Sequence, residues 1–330
     1  MATKKLELGK EKCFQIHVGN KSLATCPELN VHDDIMKTAT SEKYLGDLIT
    51  NTSKIDIDIE ARVNKGNGRV NTIISLLEEI SFGEHFFEMA LLFRNSMLIN
   101  SLLSSSEVLY NIEMKHINML EKCDKNLLTR IFSVPSTCSY EAVYLETGCL
   151  PIRFILQGRR LLYYWSLLNK DDNELVKKVF STQKEFSSKN DWTLQVEEDK
   201  KELDINISEN SIKIMKKVAF KKLVNKENRS KSNNLNSYNF QNYLQTKELS
   251  TKEKKLLFAL RTRSISVKRN YKNTFKFNME CWLCGDKNED ESETHLLKCD
   301  KIKENIDSKY DLLNASYEKH QRSNFDHKNI

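Results

Sequence analysis

Proline and glycine are scarce in this chain, with three prolines and nine glycines in 330 residues. A protein of strands and tight turns uses such residues at its reversals, so their shortage favours long helices. Long apolar runs are missing too. Nothing approaches the roughly 18 apolar residues that a membrane-spanning helix needs, and "MATKKLELGK" lacks the apolar core of a secretory signal. A soluble intracellular protein, cytoplasmic or nuclear, with no membrane partner is therefore expected. There is no Gly-rich phosphate loop and no Ser-His-Asp arrangement that stands out, so no small-molecule substrate is expected.

Five of the eight cysteines, Cys13, Cys26, Cys123, Cys138 and Cys149, show no regular spacing. A chain this long, 39% hydrophobic, can bury a core without disulfide staples, which points to a reducing compartment. The other three lie in "CWLCGDKNEDESETHLLKC", residues 281–299. Cys281 and Cys284 are in C-x2-C spacing, which lets two thiolates converge from a turn that Gly285 supplies. If "ETHLLKC" is helical, His295 and Cys299 at i+4 share a face. Three sulfurs and one nitrogen suit tetrahedral Zn2+ in a closed structural site. Ser292 or Thr294 is placed to cap the short helix, and Glu291 and Glu293 favour its N-terminal dipole.

The net charge of +6 is unevenly distributed. Between Lys213 and Lys276 stand 18 Lys and Arg against three acids, so the rest of the chain is net acidic. This segment interleaves its cations with Phe220, Tyr238, Phe240, Tyr243, Phe258, Tyr271, Phe275 and Phe277. Cations neutralise phosphates and aromatic faces stack on unpaired bases, the combination expected for RNA or single-stranded DNA. A solvated helical face with its aromatics in the core is the competing explanation. The nucleic-acid reading singles out Lys216, Lys217, Lys221, Lys222, Arg261, Arg263, Lys268 and Arg269.

Length predicts about two or three domains. The first fifty residues alternate as short strands, with Phe14, Ile16 and Val18 against polar neighbours and further breaks at Asp33, Asp34 and Gly46. Such strands cannot bury a face alone. From Lys54 the period becomes helical through Ile55, Ile59 and Val63, until "NKGNGR" is expected to interrupt. Gly83 separates two further apolar stretches. His116 falls on the apolar face of its helix and reads as a satisfied core histidine. Gly148 marks a helix C-terminus, and Pro151 starts the next helix, where Arg153, Arg159 and Arg160 run beside Tyr163, Tyr164 and Trp165. That helix is either a backbone-binding face or a packed aromatic stripe with snorkelling arginines. Residues 171–210, with 11 acids against six Lys, read as a solvated helix pair or linker around Trp192. The polar stretch 225–242 reads as a loop, and the tail after Asp300 as one amphipathic helix.

Several segments, in this order, resemble the C-terminal half of reverse transcriptases from non-LTR (LINE-like) retrotransposons. "LELGKEKC" and "SEKYLGDLI" are similar to the last palm strands and the primer-grip turn. "IEARVNKGNGRVNTIISLL" and "LLFRNSMLINSLLSSSEVLYNI" resemble the helical thumb, and residues 118–169 the helical region after it. "CWLCGDKNEDESETHLLKC" resembles the C-terminal Cys-Cys-His-Cys element. The likeness spans about residues 5–170 and 255–300. It implies a palm lysine at Lys12, a primer-supporting turn at Tyr44, Leu45 and Gly46, and zinc ligands at Cys281, Cys284, His295 and Cys299. Nucleotidyl transfer in that family needs a carboxylate trio holding two metal ions, with an adjacent Asp pair ahead of the "LELGKEKC" position. Asp33 and Asp34 come after that position and read as a turn, so the expectation is a truncated, inactive remnant that binds RNA or single-stranded DNA.

The expected architecture is mainly α with a small incomplete N-terminal β-sheet, a helical thumb-like bundle and a small C-terminal zinc module. Its expected divisions are a palm remnant (1–50), thumb (51–105), post-thumb helices (106–170), an acidic linker followed by a basic connector (171–275), and the zinc module with its tail (276–330). A host-encoded, zinc-containing helical adaptor that binds protein is the alternative.

Overall fold

The computed structural model describes residues 14–16, 29–31, 34–44, 47–51, 55–79, 83–109, 111–186, 191–204, 218, 221–222, 240–265, 280–281, 284–285 and 292–303, which are mainly helical. Among the described residues, strands occur only in the N-terminal region. β1 (Phe14–Gln15) runs parallel to β4 (Lys37–Thr38), β2 (Asn30–Val31) antiparallel to β3 (Asp34–Ile35), and β5 (Ser41–Tyr44) antiparallel to β6 (Asp47–Thr50). Among the described residues these are three separate two-stranded pairs, not one sheet. Strands of two to four residues leave too little ladder to join the pairs. The side chain turned inward on β1 is the polar one: Gln15 is buried and its Oε1 accepts from the Leu29 N–H, while Phe14 and Ile16 are half-buried.

Helix α1 (Asp56–Glu79) begins at the acidic cluster, with Asp56 and Asp58 in its first turn where the helix dipole favours negative charge. It does not stop at "NKGNGR" as the sequence suggests. The reason is tertiary. A Cβ on Gly66 would lie 2.5 Å from Leu102 Cδ2 and 3.0 Å from Cys123 Sγ, so glycine is what lets α1 approach its neighbours this closely. Gly68 has open space around it. Arg62, itself buried, pairs with Asp58 at 2.5 Å and donates to the Ser104 carbonyl at 2.6 Å, tying α1 to the chain at Ser104.

Gly83, at φ +50°, separates α1 from α2 (Phe86–Phe93), and a π-helical turn over Arg94–Ile99 leads into α3 (Asn100–Leu103). Helix α4 (Met114–Phe132) packs along α1. Its N-terminus is closed by a capping box in which His116 Nδ1 accepts from the Glu113 N–H while Nε2 meets Asp56 at 3.0 Å. His116 is thus a satisfied buried histidine, as its place on the apolar face implies. α5 (Tyr140–Thr147) ends at Gly148 in the left-handed conformation, and Pro151 precedes α6 (Ile152–Leu168).

One apolar cluster runs from Ile59 through Leu103, continues through Leu120 to Leu156, and takes in Tyr243, Leu244, Leu257 and Phe258. The expected boundary at residue 105 therefore cuts through a single core. Phe87, Phe132 and Phe258 stack in series, with centroids 5.0 and 4.0 Å apart, so α9 (Asn242–Gln245) and α10 (Thr251–Arg261) are docked rather than linking. A second cluster joins α6 to α7 (Leu175–Glu185) and α8 (Trp192–Leu203) through Phe154, Leu161, Tyr164, Phe180, Trp192 and Val196. The acidic stretch is thus a packed helix pair around Trp192.

Besides Arg62–Asp58, three arginine–carboxylate pairs are buried among the described residues. Arg94 grips Asp124 at 2.7 and 2.6 Å, and Tyr144 also donates to Asp124 at 2.8 Å. Arg160 holds Asp199 at 2.7 and 3.0 Å, and Arg261 pairs with Glu146. Burial alone would lower the Arg94 guanidinium; the Asp124 carboxylate holds it above its ordinary value. No helix among the described residues is long and apolar enough to cross a membrane.

Candidate metal centre

Cys281 and Cys284 come from a turn in which the Gly285 N–H donates to the Cys281 carbonyl at 2.8 Å. Gly285 itself sits at φ +70°, a conformation open to glycine because it has no Cβ to clash. The other two residues come from α11 (Glu293–Lys298) and its end. Ser292 caps this helix, its Oγ accepting from the His295 N–H at 3.2 Å, so of the two candidate caps it is Ser292 that acts. Cys299 follows His295 by one turn, which puts both on the same side.

The four donor atoms lie within 4.8 Å of one another. His295 Nε2 is the ring nitrogen turned toward the sulfurs, 3.3 Å from Cys284 Sγ. Tetrahedral zinc, with Zn–S of roughly 2.3 Å and Zn–N of about 2.0 Å, has ligand–ligand edges of about 3.5–3.8 Å. The donors thus stand within about an ångström of that geometry. Cys281, His295 and Cys299 are buried, and Cys284 is the more open of the set. No disulfide forms among the described cysteines. The cluster can hold a metal ion, and its donor set is compatible with zinc. It belongs to neither apolar cluster of the helical body.

The residues singled out for nucleic acid fare differently. Lys216, Lys217, Lys268 and Arg269 lie outside the described residues, as do Lys12, Leu45 and Gly46 of the primer-grip resemblance. Tyr44 pairs with Asp47 across the β5–β6 hairpin. Lys221 is exposed and Arg263 is exposed at φ +50°. Lys222 donates to Glu202 at 2.9 and 3.1 Å, bridging to α8. Arg261 is the clear correction: it is 7% exposed, lies against the Tyr243 ring and pairs with Glu146, so it faces the core and not a phosphate. The aromatics of this segment follow it, with Tyr243 and Phe258 buried and Phe240 packed against them. Phe220, Tyr238, Tyr271, Phe275 and Phe277 lie outside the described residues. On α6 the packed alternative holds: Arg160 is buried on Asp199, Arg153 pairs with Glu202 and Arg159 donates to the Leu103 carbonyl.

The inward placement of Arg94, Arg160 and Arg261 is set by partners 30, 39 and 115 residues away, which local sequence does not bring together. Only Glu146, the lone acid in "AVYLETG", carries a local signal. Asp34 lies in β3 opposite Val31 of β2, and Asp33 lies outside the described residues. The chain matches no protein-family model, no curated protein and no solved structure.

Proposed function

We propose that the chain is the thumb, connector and zinc-element portion of a non-LTR-type reverse transcriptase. Its four-ligand centre holds one structural Zn2+, and it binds RNA or single-stranded DNA without polymerising by itself. The convergence of Cys281, Cys284, His295 and Cys299 carries this reading. Three thiolates and one imidazole fill all four positions of a tetrahedral ion and leave none for substrate, so the metal organises the chain rather than performing chemistry. The concentration of Lys and Arg between residues 213 and 276 supports the nucleic-acid part, with Lys221 and Arg263 as exposed contributors. About four phosphate contacts to a single strand would give a log–log salt slope of roughly −3. The test is a mobility shift of single-stranded RNA by the purified chain at two salt concentrations. Binding that falls steeply with salt is expected; salt-insensitive or absent binding contradicts it.

The adaptor alternative draws on a different observation. Leu175, Val179 and Phe186 are 77%, 57% and 74% exposed and fall on one side of α7, whose only buried residue is Phe180. Such an apolar seam is typical of protein contacts. On that reading, Leu175→Asp with Val179→Asp abolishes a protein contact and leaves RNA binding untouched.

A further inference from the structure

Between α1, α4 and the start of α5 lies a groove of about 810 Å³, within the range of ligand sites. Its rim carries three asparagines, Asn67 on α1 and Asn118 and Asn126 on α4, with Lys122 between the latter two. Asn118, Lys122 and Asn126 recur at i, i+4 and i+8, so α4 presents them on one side. All four are exposed, and among the described residues none of these side chains makes a hydrogen bond or ion pair. Asparagine is a poor residue for a helix interior because its side chain competes for backbone hydrogen bonds. Three of them gathered at one groove, without partners in the fold, are free to exchange water for a ligand's polar edge. Below the rim the floor is apolar, formed by Val63, Met119 and the buried Cys123. One wall is fixed by Lys125, whose ammonium sits 3.9 Å over the Tyr140 ring. The two acids at the groove are engaged: Glu141 accepts from Ser139 at 3.1 Å, and Glu121 from the Arg153 N–H at 3.4 Å.

We propose that this groove binds a nucleotide: the base lies on the apolar floor, its edge meets the carboxamides, and the phosphate meets Lys122. A carboxamide offers a donor and an acceptor side by side, which matches adenine N6 and N7 in a bidentate pair. The same chemistry serves a free nucleotide or one base of a single strand. The proposal rests on the nucleic-acid reading given above, but it moves base recognition from the basic connector to the helical body.

Adenosine 5′-monophosphate followed by ligand-observed NMR, and a short adenine-rich single-stranded RNA followed by fluorescence anisotropy, are the two probes. Each is applied to the full chain and to the Asn118→Ala, Asn126→Ala double variant. Alanine suits a helix better than asparagine, so the variant keeps its fold, which circular dichroism verifies. The expected result is a loss of about tenfold or more in the variant for at least one probe. Loss with the mononucleotide identifies a free nucleotide as ligand, and loss only with the RNA identifies a strand. If both probes bind wild type and variant equally, or neither binds, the groove assignment is overturned. RNA binding that is undiminished in the variant, with no mononucleotide effect, keeps the nucleic-acid reading and removes the groove. Absent RNA binding with mononucleotide binding that the variant loses does the reverse.

Discussion

The helical body and the C-terminal Cys/His centre are stabilised by different means. Among the described residues the body buries two apolar clusters and four arginine–carboxylate pairs, so its order is spread over many side chains from distant parts of the sequence. The centre has a six-residue helix, one turn and four ligands within 19 positions. On the proposed reading the order of this centre comes from its metal, since four converging ligands replace the apolar burial that holds the body. On this contrast the body should lose stability stepwise as contacts are removed, and the centre all at once with its metal.

Metal removal should give the largest difference between the two parts. Chelation is expected to unfold the C-terminal module completely while the helices of residues 70–168 persist, because structural zinc sites fold with their ion. Hydrogen exchange read peptide by peptide checks this; collapse of protection across both parts would remove the division. Next comes the buried pair. Asp124→Ala leaves the 1%-exposed Arg94 charge without its carboxylate and should cost about 3–5 kcal/mol in urea unfolding, with metal content unchanged.

The two glycines of α1 sharpen the comparison within the body. Gly66→Ala forces a Cβ to 2.5 Å from Leu102 and should destabilise by about 1–3 kcal/mol. Gly68→Ala meets nothing and should stabilise by roughly 1 kcal/mol, since alanine is the better helix former. Equal effects of the two in denaturant midpoint would mean that α1 does not pack as described.

The smallest effect concerns pH. Hydrogen bonds from Lys115 and then His116 pull the exposed Asp56 carboxyl down to about 2. A carboxyl depressed in the folded state stabilises above its unfolded pKa and loses that contribution as pH falls toward the folded value. Asp56→Asn should therefore lower stability in the neutral region and remove the decline between about pH 4 and 2, so that variant and wild type converge in acid.

What could be read in the sequence was local. The C-x2-C turn with Gly285, the Ser292 cap, the i+4 pair His295 and Cys299, the stop at Gly148 and the buried place of His116 all depend on neighbours a few residues away. What could not be read was set across the fold. "NKGNGR" looks like a break until Leu102 and Cys123 are brought against Gly66. Arg261 looks like a phosphate ligand until Glu146, 115 residues earlier, is placed beside it. The N-terminal strands were legible as strands, but their pairing was not, because segments of two to four residues carry little register information.

The account depends most on a closed four-ligand centre. Cobalt(II) substituted into the purified full chain reports ligand type and geometry directly through its visible and near-ultraviolet absorption. The account predicts one equivalent of cobalt per chain, the intense visible bands of a tetrahedral ion and thiolate-to-metal charge transfer, all lost in Cys281→Ser and His295→Ala and displaced by zinc. Weak octahedral bands, or an unaltered spectrum in those variants, would contradict it.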